Sequence, residues 1–204
     1  MSARRHLAVA VSTLIPLAAT LPAGAQGAVR LPACEWCGAL EAPASLGSSA
    51  SIASPNEPGV RLVVTGRVLH ADGRAAAPNV LLYIYHTDAH GAYSRRGGEA
   101  GNGLRHGHLR GWLRTGPRGE FRIATIRPAP YPGRPEPAHM HVTVTPPGGA
   151  ERWIDSIMFD DDPSLTPALR ARMPNTGGSG IVRVSRDEAG VQHAVRDIVL
   201  PAAP

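Results

Sequence analysis

Apolar positions in this chain come in short runs with a period of two, never in long runs with a period near four. The patterned region begins at Val60, where Arg61-Leu-Val-Val-Thr-Gly-Arg-Val-Leu69 reads as a strand and Ala71-Asp-Gly73 as the turn after it. Asn79 to Tyr85 follows as a second strand, mixing β-branched and aromatic residues. Trp112 to Thr115 and Glu120 to Ile126 flank Gly116-Pro-Arg-Gly119 and predict a hairpin. Ala138 to Thr145 alternates, with His139, His141, Thr143 and Thr145 on one face and Met140, Val142 and Val144 on the other. Arg152 to Phe159 reads as one further strand, and Gly180 to Val184 with Val191 to Leu200 as a closing hairpin. Thr166 to Met173 is the single helical candidate, with Thr166 placed to cap it and Pro167 at its first position.

Seven to eight short strands around one core predict an all-β protein, an antiparallel sandwich with long loops and at most one short helix. Composition agrees: 23 Gly and 20 Pro among 204 residues leave no uninterrupted stretch for a long helix or coiled coil. Residues 1–25 read as a secretory signal, with Arg4 and Arg5 as the basic region, an apolar run from Leu7 to Leu21, and Ala23-Gly24-Ala25 as a small-residue cleavage site. The apolar run is too short to span a membrane, so the expected address is periplasmic or extracellular. Arg4-Arg5-His6-Leu7 gives the signal some twin-arginine character. Residues 26–58, rich in Ala, Ser, Gly and Pro, are expected to be an extended leader, and residues 59–204 the folded domain.

The formal charge is +5, carried without any lysine, and removing Arg4 and Arg5 with the signal lowers it to +3. The arginines are scattered, so no nucleic-acid footprint is expected. Cys34 and Cys37 form a lone C-x-x-C in a chain that reads as exported; a structural disulfide is favoured over a redox motif or half a zinc site.

Candidate chemistry lies in the histidines and the scarce tyrosines. His106/His108 and His139/His141 have H-x-H spacing, which on a strand puts both imidazoles on one face. The second pair is on an alternating strand, while the first lies in Gly-rich, loop-like surroundings where pocket-lining, metal-binding and solvent-facing roles all stay open. Tyr131 sits upstream of the second pair in Pro128-Ala-Pro-Tyr-Pro-Gly-Arg134, and Tyr93 in a turn after a strand. Phenolate and imidazole donors together suit Fe(III). Asp160-Asp161-Asp162 lacks the alternating spacing of a calcium loop and reads as a solvated turn.

In order, Gly66-Arg-Val68, Pro78-Asn-Val80, Thr87 to Tyr93, Gly119 to Ile126, Pro128 to Arg134, Pro137-Ala-His-Met-His141 and Phe159 to Pro163 resemble the intradiol ring-cleavage dioxygenases, in particular an exported single-chain branch related to protocatechuate 3,4-dioxygenase. The likeness covers roughly residues 60–200. It implies a mononuclear non-haem Fe(III) held by Tyr93, Tyr131, His139 and His141, with Tyr131 the tyrosinate that substrate displaces. It also implies a catechol or polyphenol substrate, O2 as co-substrate, and ring opening between the two hydroxylated carbons. Tyr85 stands where the family carries a Trp before the first ligand, which leaves it either flanking the site or in the strand core. Glu136 stands where the family carries an Arg thought to stabilise the activated substrate, and Ser156 near a family Gln. These departures reverse a local charge and imply weakened or altered activity, with Arg134, Arg110 or Arg114 as candidate replacement cations. Homo-oligomerisation stays open. The competing reading is a non-catalytic transthyretin-like or carboxypeptidase-regulatory-like sandwich, which accounts for residues 60–85 but not for the spaced tyrosines and histidines. A cupin-type metal enzyme is disfavoured because no Glu follows either H-x-H pair at the required distance.

Overall fold

The computed structural model describes residues 32–202, so the signal expected over 1–25 lies outside the described residues. Twelve strands and two four-residue helices follow one another. They are β1 Ser49–Ser51, β2 Arg61–Leu69, β3 Leu81–His86, α1 Gly103–His106, β4 Arg110–Arg114, β5 Glu120–Ile126 and β6 His139–Thr145. Then come β7 Arg152–Trp153, β8 Ile157–Phe159, α2 Pro167–Arg170, β9 Ile181–Val182, β10 Val184–Arg186, β11 Gln192–Val195 and β12 Ile198–Val199. No helix among the described residues is long and apolar enough to cross a membrane.

The strands form two six-stranded sheets, ordered β1-β5-β2-β11-β10 with β12 beside β2, and β4-β3-β6-β8-β9 with β7 beside β6. The architecture is the expected all-β sandwich, but the sheets are mixed. β1 runs parallel to β5, β11 and β12 parallel to β2, and β9 parallel to β8. More strands and helices are present than the pattern suggested: β1 lies in the stretch expected as a leader, α1 and a 3-10 turn at Ala39–Glu41 add to α2, and three expected strands are interrupted, the last of them at Arg196 and Asp197 between β11 and β12. Ile154, Asp155 and Ser156 leave the ladder between β7 and β8. The chain also changes sheets at Arg183, with β9 pairing β8 and β10 pairing β11. The expected helix is one turn, Pro167–Arg170, with the Thr166 hydroxyl accepting from the Leu169 amide.

The period-two pattern decides what lies between the sheets. Leu62 and Val64 of β2 and Ile123 of β5 pack against Leu82 and Ile84 of β3 and Met140, Val142 and Val144 of β6, all fully or almost fully buried. The stretch expected as a leader is part of this assembly over its later half: β1 pairs β5 in register Ser49 to Arg122, and the Ile52 amide donates to the Ala124 carbonyl. The Asp triplet is only partly a solvated turn. Asp161 pairs with Arg127 at 2.7 Å, while buried Asp162 accepts from the Ala138 amide and so fixes the entry into β6.

The outer face of the second sheet is covered as well, since every residue of β3 is buried. Register sets Tyr83 beside Trp112 of β4 and Thr143 of β6, and Tyr85 beside His141. Residues directly opposite across a ladder share a face, so this outer face is a row of aromatic and imidazole rings.

Candidate metal centre

Two loops and one strand carry the convergent groups. After β3 the chain turns on Asp88, whose carboxylate accepts from the His90 and Ala92 amides at 2.8 and 3.1 Å and from the Ser94 hydroxyl. The loop after β5 carries Pro128, Pro130 and Pro132, which restrict its backbone. The loops are zipped together: Thr87 Oγ1 donates to the Ala129 carbonyl at 2.7 Å, and the Ala129 amide donates to the Asp88 carbonyl at 3.0 Å. Gly91, at φ +80°, permits the approach, because a Cβ there would stand 2.1 Å from the Pro130 carbonyl oxygen. The zipper brings Tyr93 and Tyr131 together with hydroxyl oxygens 2.5 Å apart.

β6 supplies the imidazoles. Tyr131 Oη lies 3.2 Å from His141 Nε2, and His141 Nε2 lies 3.2 Å from His139 Nε2. Each ring is oriented through its other nitrogen. His139 Nδ1–H donates to the Pro137 carbonyl at 2.7 Å, which leaves Nε2 with a bare lone pair, and His141 Nδ1 lies 3.3 Å from Ser156 Oγ. Burial, with His139 alongside, pushes the His141 imidazole far below its usual value. Burial and the hydrogen bond to Tyr131 push the Tyr93 phenol up; burial raises Tyr131 too, where the charges of Glu136 and Arg134 act in opposite directions.

The four residues singled out by sequence are therefore linked in one chain of close contacts, Tyr93 to Tyr131 to His141 to His139. Donors that share an ion at bond lengths of about 2 Å stand roughly 3 Å from one another, close to the separation of each linked pair. The donor set fits a hard trivalent cation. Burial keeps the His141 imidazole neutral, and the buried phenols stay protonated unless a positive charge compensates them. Among the described residues no three His, Cys, Asp or Glu side chains converge, here or elsewhere, so this donor set depends on its two phenols.

A cavity of about 350 Å³ opens beside these groups, lined by Tyr93, Tyr131, His141, Tyr85, His106 and Trp153, with Glu35, Trp36 and Arg105 completing it. Tyr85 lies in the wall, stacked between His106 at 3.6 Å and His141 at 4.5 Å between ring centroids. His106 takes the hydrogen of the Tyr83 hydroxyl on Nδ1 and donates from Nε2 to the Glu35 carbonyl, both at 2.7 Å. Burial lowers its pKa to about 4, so it is neutral. His108 points elsewhere, bonded to the Ser94 carbonyl and Glu57, so the first H-x-H pair does not converge on one ion.

Of the arginines considered as replacement cations, Arg134 is exposed and lies over the Tyr131 ring at 5.7 Å. Arg110 is bound to Glu41 at 2.5 Å, and Arg114 lies at the far end of β4, next to the Asn79 carbonyl. Glu136 is exposed. Sequence reasoning missed Arg105, Glu35, Trp36 and Trp153. Three of them lie on segments without strand pattern, and Trp153 on a two-residue strand; their one signal was an aromatic residue inside the C-x-x-C. Cys34 and Cys37 are joined as a disulfide, with Cα atoms 5.4 Å apart.

Comparison with known proteins adds to this geometry. A family model described as Dioxygenase matches residues 41–175. The protocatechuate 3,4-dioxygenase beta chain of Burkholderia cepacia is 30% identical over 153 residues, which cover 70% of this chain and 65% of that one, slightly under two thirds of the relative's length. Among solved structures, the dioxygenase domain of a dioxygenase–carbohydrate-binding protein fusion from Streptomyces sp. SirexAA-E matches with TM-score 0.58 and 28% identity, covering 79% of this chain and 92% of that one. Catechol 1,2-dioxygenase from Acinetobacter sp. ADP1 shares the fold with TM-score 0.59 at 22% identity, over 78% of this chain and 60% of that one.

Proposed function

This chain belongs to the intradiol ring-cleavage dioxygenases, and from that premise we propose that it binds one non-haem Fe(III) through Tyr93, Tyr131, His139 and His141 and opens a catechol-type ring between its two hydroxylated carbons. One catechol and one O2 become one muconate-type diacid, with both oxygen atoms retained. The observation that carries the reading is the approach of two phenol oxygens and two imidazole Nε2 atoms to within 2.5–3.2 Å of their neighbours.

Bound Fe(III) supplies Lewis acidity, lowering the pKa of coordinated phenols and drawing electron density from the aromatic ring. The protein's own part is positioning and proton transfer. The carbonyl of Pro137 and the hydroxyl of Ser156 keep each imidazole turned with Nε2 toward the phenols. Tyr93 and Tyr131 would both hold the iron; Tyr131, on the proline-bearing loop, would be the base whose Oη takes up a proton from an entering catechol hydroxyl, while Tyr93 would keep its place on the Asp88 turn. Tyr85 and Trp153 place flat apolar surface next to the site, where an aromatic ring displaces water. Export to an oxidising compartment belongs to the same proposal and accords with the Cys34–Cys37 disulfide.

The visible spectrum of iron-loaded protein tests the reading. Tyrosinate-to-iron charge transfer gives a red-brown colour, which weakens in Tyr93→Phe and in Tyr131→Phe, and catechol cleavage consumes one O2 per ring. A colourless protein that holds only zinc overturns it.

A further inference from the structure

The cavity beside Tyr93 and Tyr131 has a wall that the chemistry of the metal ligands does not require. Residues 34–38 form neither strand nor helix, yet their backbone is held almost group by group. Asn102 Nδ2 donates to the carbonyls of Cys34 and Cys37, both at 2.7 Å, and His106 binds the Glu35 carbonyl between them. Trp112 Nε1 donates to the Gly38 carbonyl at 2.7 Å. The Glu151 carboxylate accepts from the Gly38 and Ala39 amides at 2.9 and 3.0 Å. Gly38 lies flat on the Tyr83 ring, where a Cβ would come within 2.3 Å. The disulfide closes the turn across the two residues that face the cavity, exposed Glu35 and half-buried Trp36.

Trp36 meets Trp153 edge to face at 6.2 Å, and Trp153 lies 5.0 Å from the His141 ring. Trp36 thus stands one aromatic ring further from the metal-binding atoms than Trp153. A cavity of about 150 Å³ is enough to hold benzene, and this one offers about 350 Å³. Space and an aromatic surface remain beyond the ring whose hydroxyls meet the ligands.

Building on the dioxygenase reading, we propose that Trp36 is a specificity-determining residue that packs on the planar substituent of a substituted catechol, and that the Cys34–Cys37 disulfide with its anchors is the device that positions it. The substrate class is a catechol carrying a flat, conjugated side arm; unsubstituted catechol ends short of Trp36.

Anaerobic titration of iron-loaded protein with catechol and with caffeic acid, followed by the visible spectrum, tests this. In Trp36→Ala the Kd for caffeic acid rises roughly three- to tenfold while that for catechol stays within about twofold. Trp36→Phe, which keeps an aromatic surface, recovers most of the loss. Cys34→Ser combined with Cys37→Ser reproduces the selective loss with colour retained. Equal weakening of both ligands, or an unchanged Kd for caffeic acid, overturns the assignment. A second readout needs no iron: reducing the disulfide of metal-free protein with a phosphine makes tryptophan emission more accessible to acrylamide, and the increase is absent in Trp36→Ala. Unchanged quenching on reduction overturns the positioning role. A protein that stays colourless removes the dioxygenase reading and this inference together, whereas a coloured protein with unselective variants removes the inference alone.

Discussion

On the two faces of the sheet formed by β4, β3 and β6, the same strands are buried in two different ways. The inner face presents Leu82, Ile84, Met140, Val142 and Val144 to the other sheet, where each contributes by area removed from water. The outer face presents Tyr83, His139, His141 and Thr143, whose polar atoms have partners in His106, Pro137, Ser156 and Glu151, together with Tyr85, whose ring stacks on His106 and His141. Burial on the inner side is non-directional and tolerates substitution by shape. Burial on the outer side is directional, and losing one partner changes where a lone pair points.

Three substitutions probe that difference. The largest effect is expected inside: Ile84→Ala should cost about 2–5 kcal/mol in urea unfolding, while colour per folded molecule is retained. Loss of colour in step with stability would show that the two faces are not separable. Next is Ser156→Ala on the outer side, which should weaken iron affinity about 10- to 100-fold and change the metal-free unfolding free energy by only about 1 kcal/mol. Competition with a chelator measures the first quantity, and unchanged affinity would show that His141 is held by packing alone. The smallest effect concerns His86, whose ring bridges the Thr87 carbonyl and Thr125 at the edge of the core. Burial lowers its pKa to about 4 from the usual 6.5, so the folded chain holds it neutral. Stability is then level above pH 6.5 and falls as the pH drops toward 4, because the unfolded chain takes up the proton first. The first unit below 6.5 costs roughly 1 kcal/mol. Unfolding midpoints at pH 7, 6 and 5 should fall less steeply in His86→Gln; parallel profiles would remove His86 from the account.

The same contrast explains what could be read from the chain. The inner face is written as alternation, so β2, β5 and β6 lie where the pattern placed them, within a residue or so. Tyr93, Tyr131, His139 and His141 were legible together from the order of the family motifs, with the period-two spacing of the histidines as the local clue, and the structure brings them into neighbouring contact. Strand direction was not legible: β1, β11 and β12 run parallel to their neighbours through connections that no local pattern encodes. The cavity wall was not legible either. Residues 34–38 bury no alternating face, and their position follows from single side chains distant in sequence, such as Glu151, 113 residues from Gly38. Long-range hydrogen bonds to backbone leave no periodic trace. Ser156 shows an intermediate case, found by its place in a family pattern and given its role only by the distance to His141.

Every anchor of the disulfide turn grips main-chain atoms: the carbonyls of Cys34, Glu35, Cys37 and Gly38 and the amides of Gly38 and Ala39. The side chains at positions 35 and 36 add no hydrogen bond to this hold, and Trp36 adds only its edge-to-face contact with Trp153. Mutation there can therefore redraw what the cavity accepts without disturbing the sandwich or the four converging donors. In evolutionary terms the turn is an exchangeable tip on a fixed shaft, and relatives that share this mounting can diverge in substrate range through two codons.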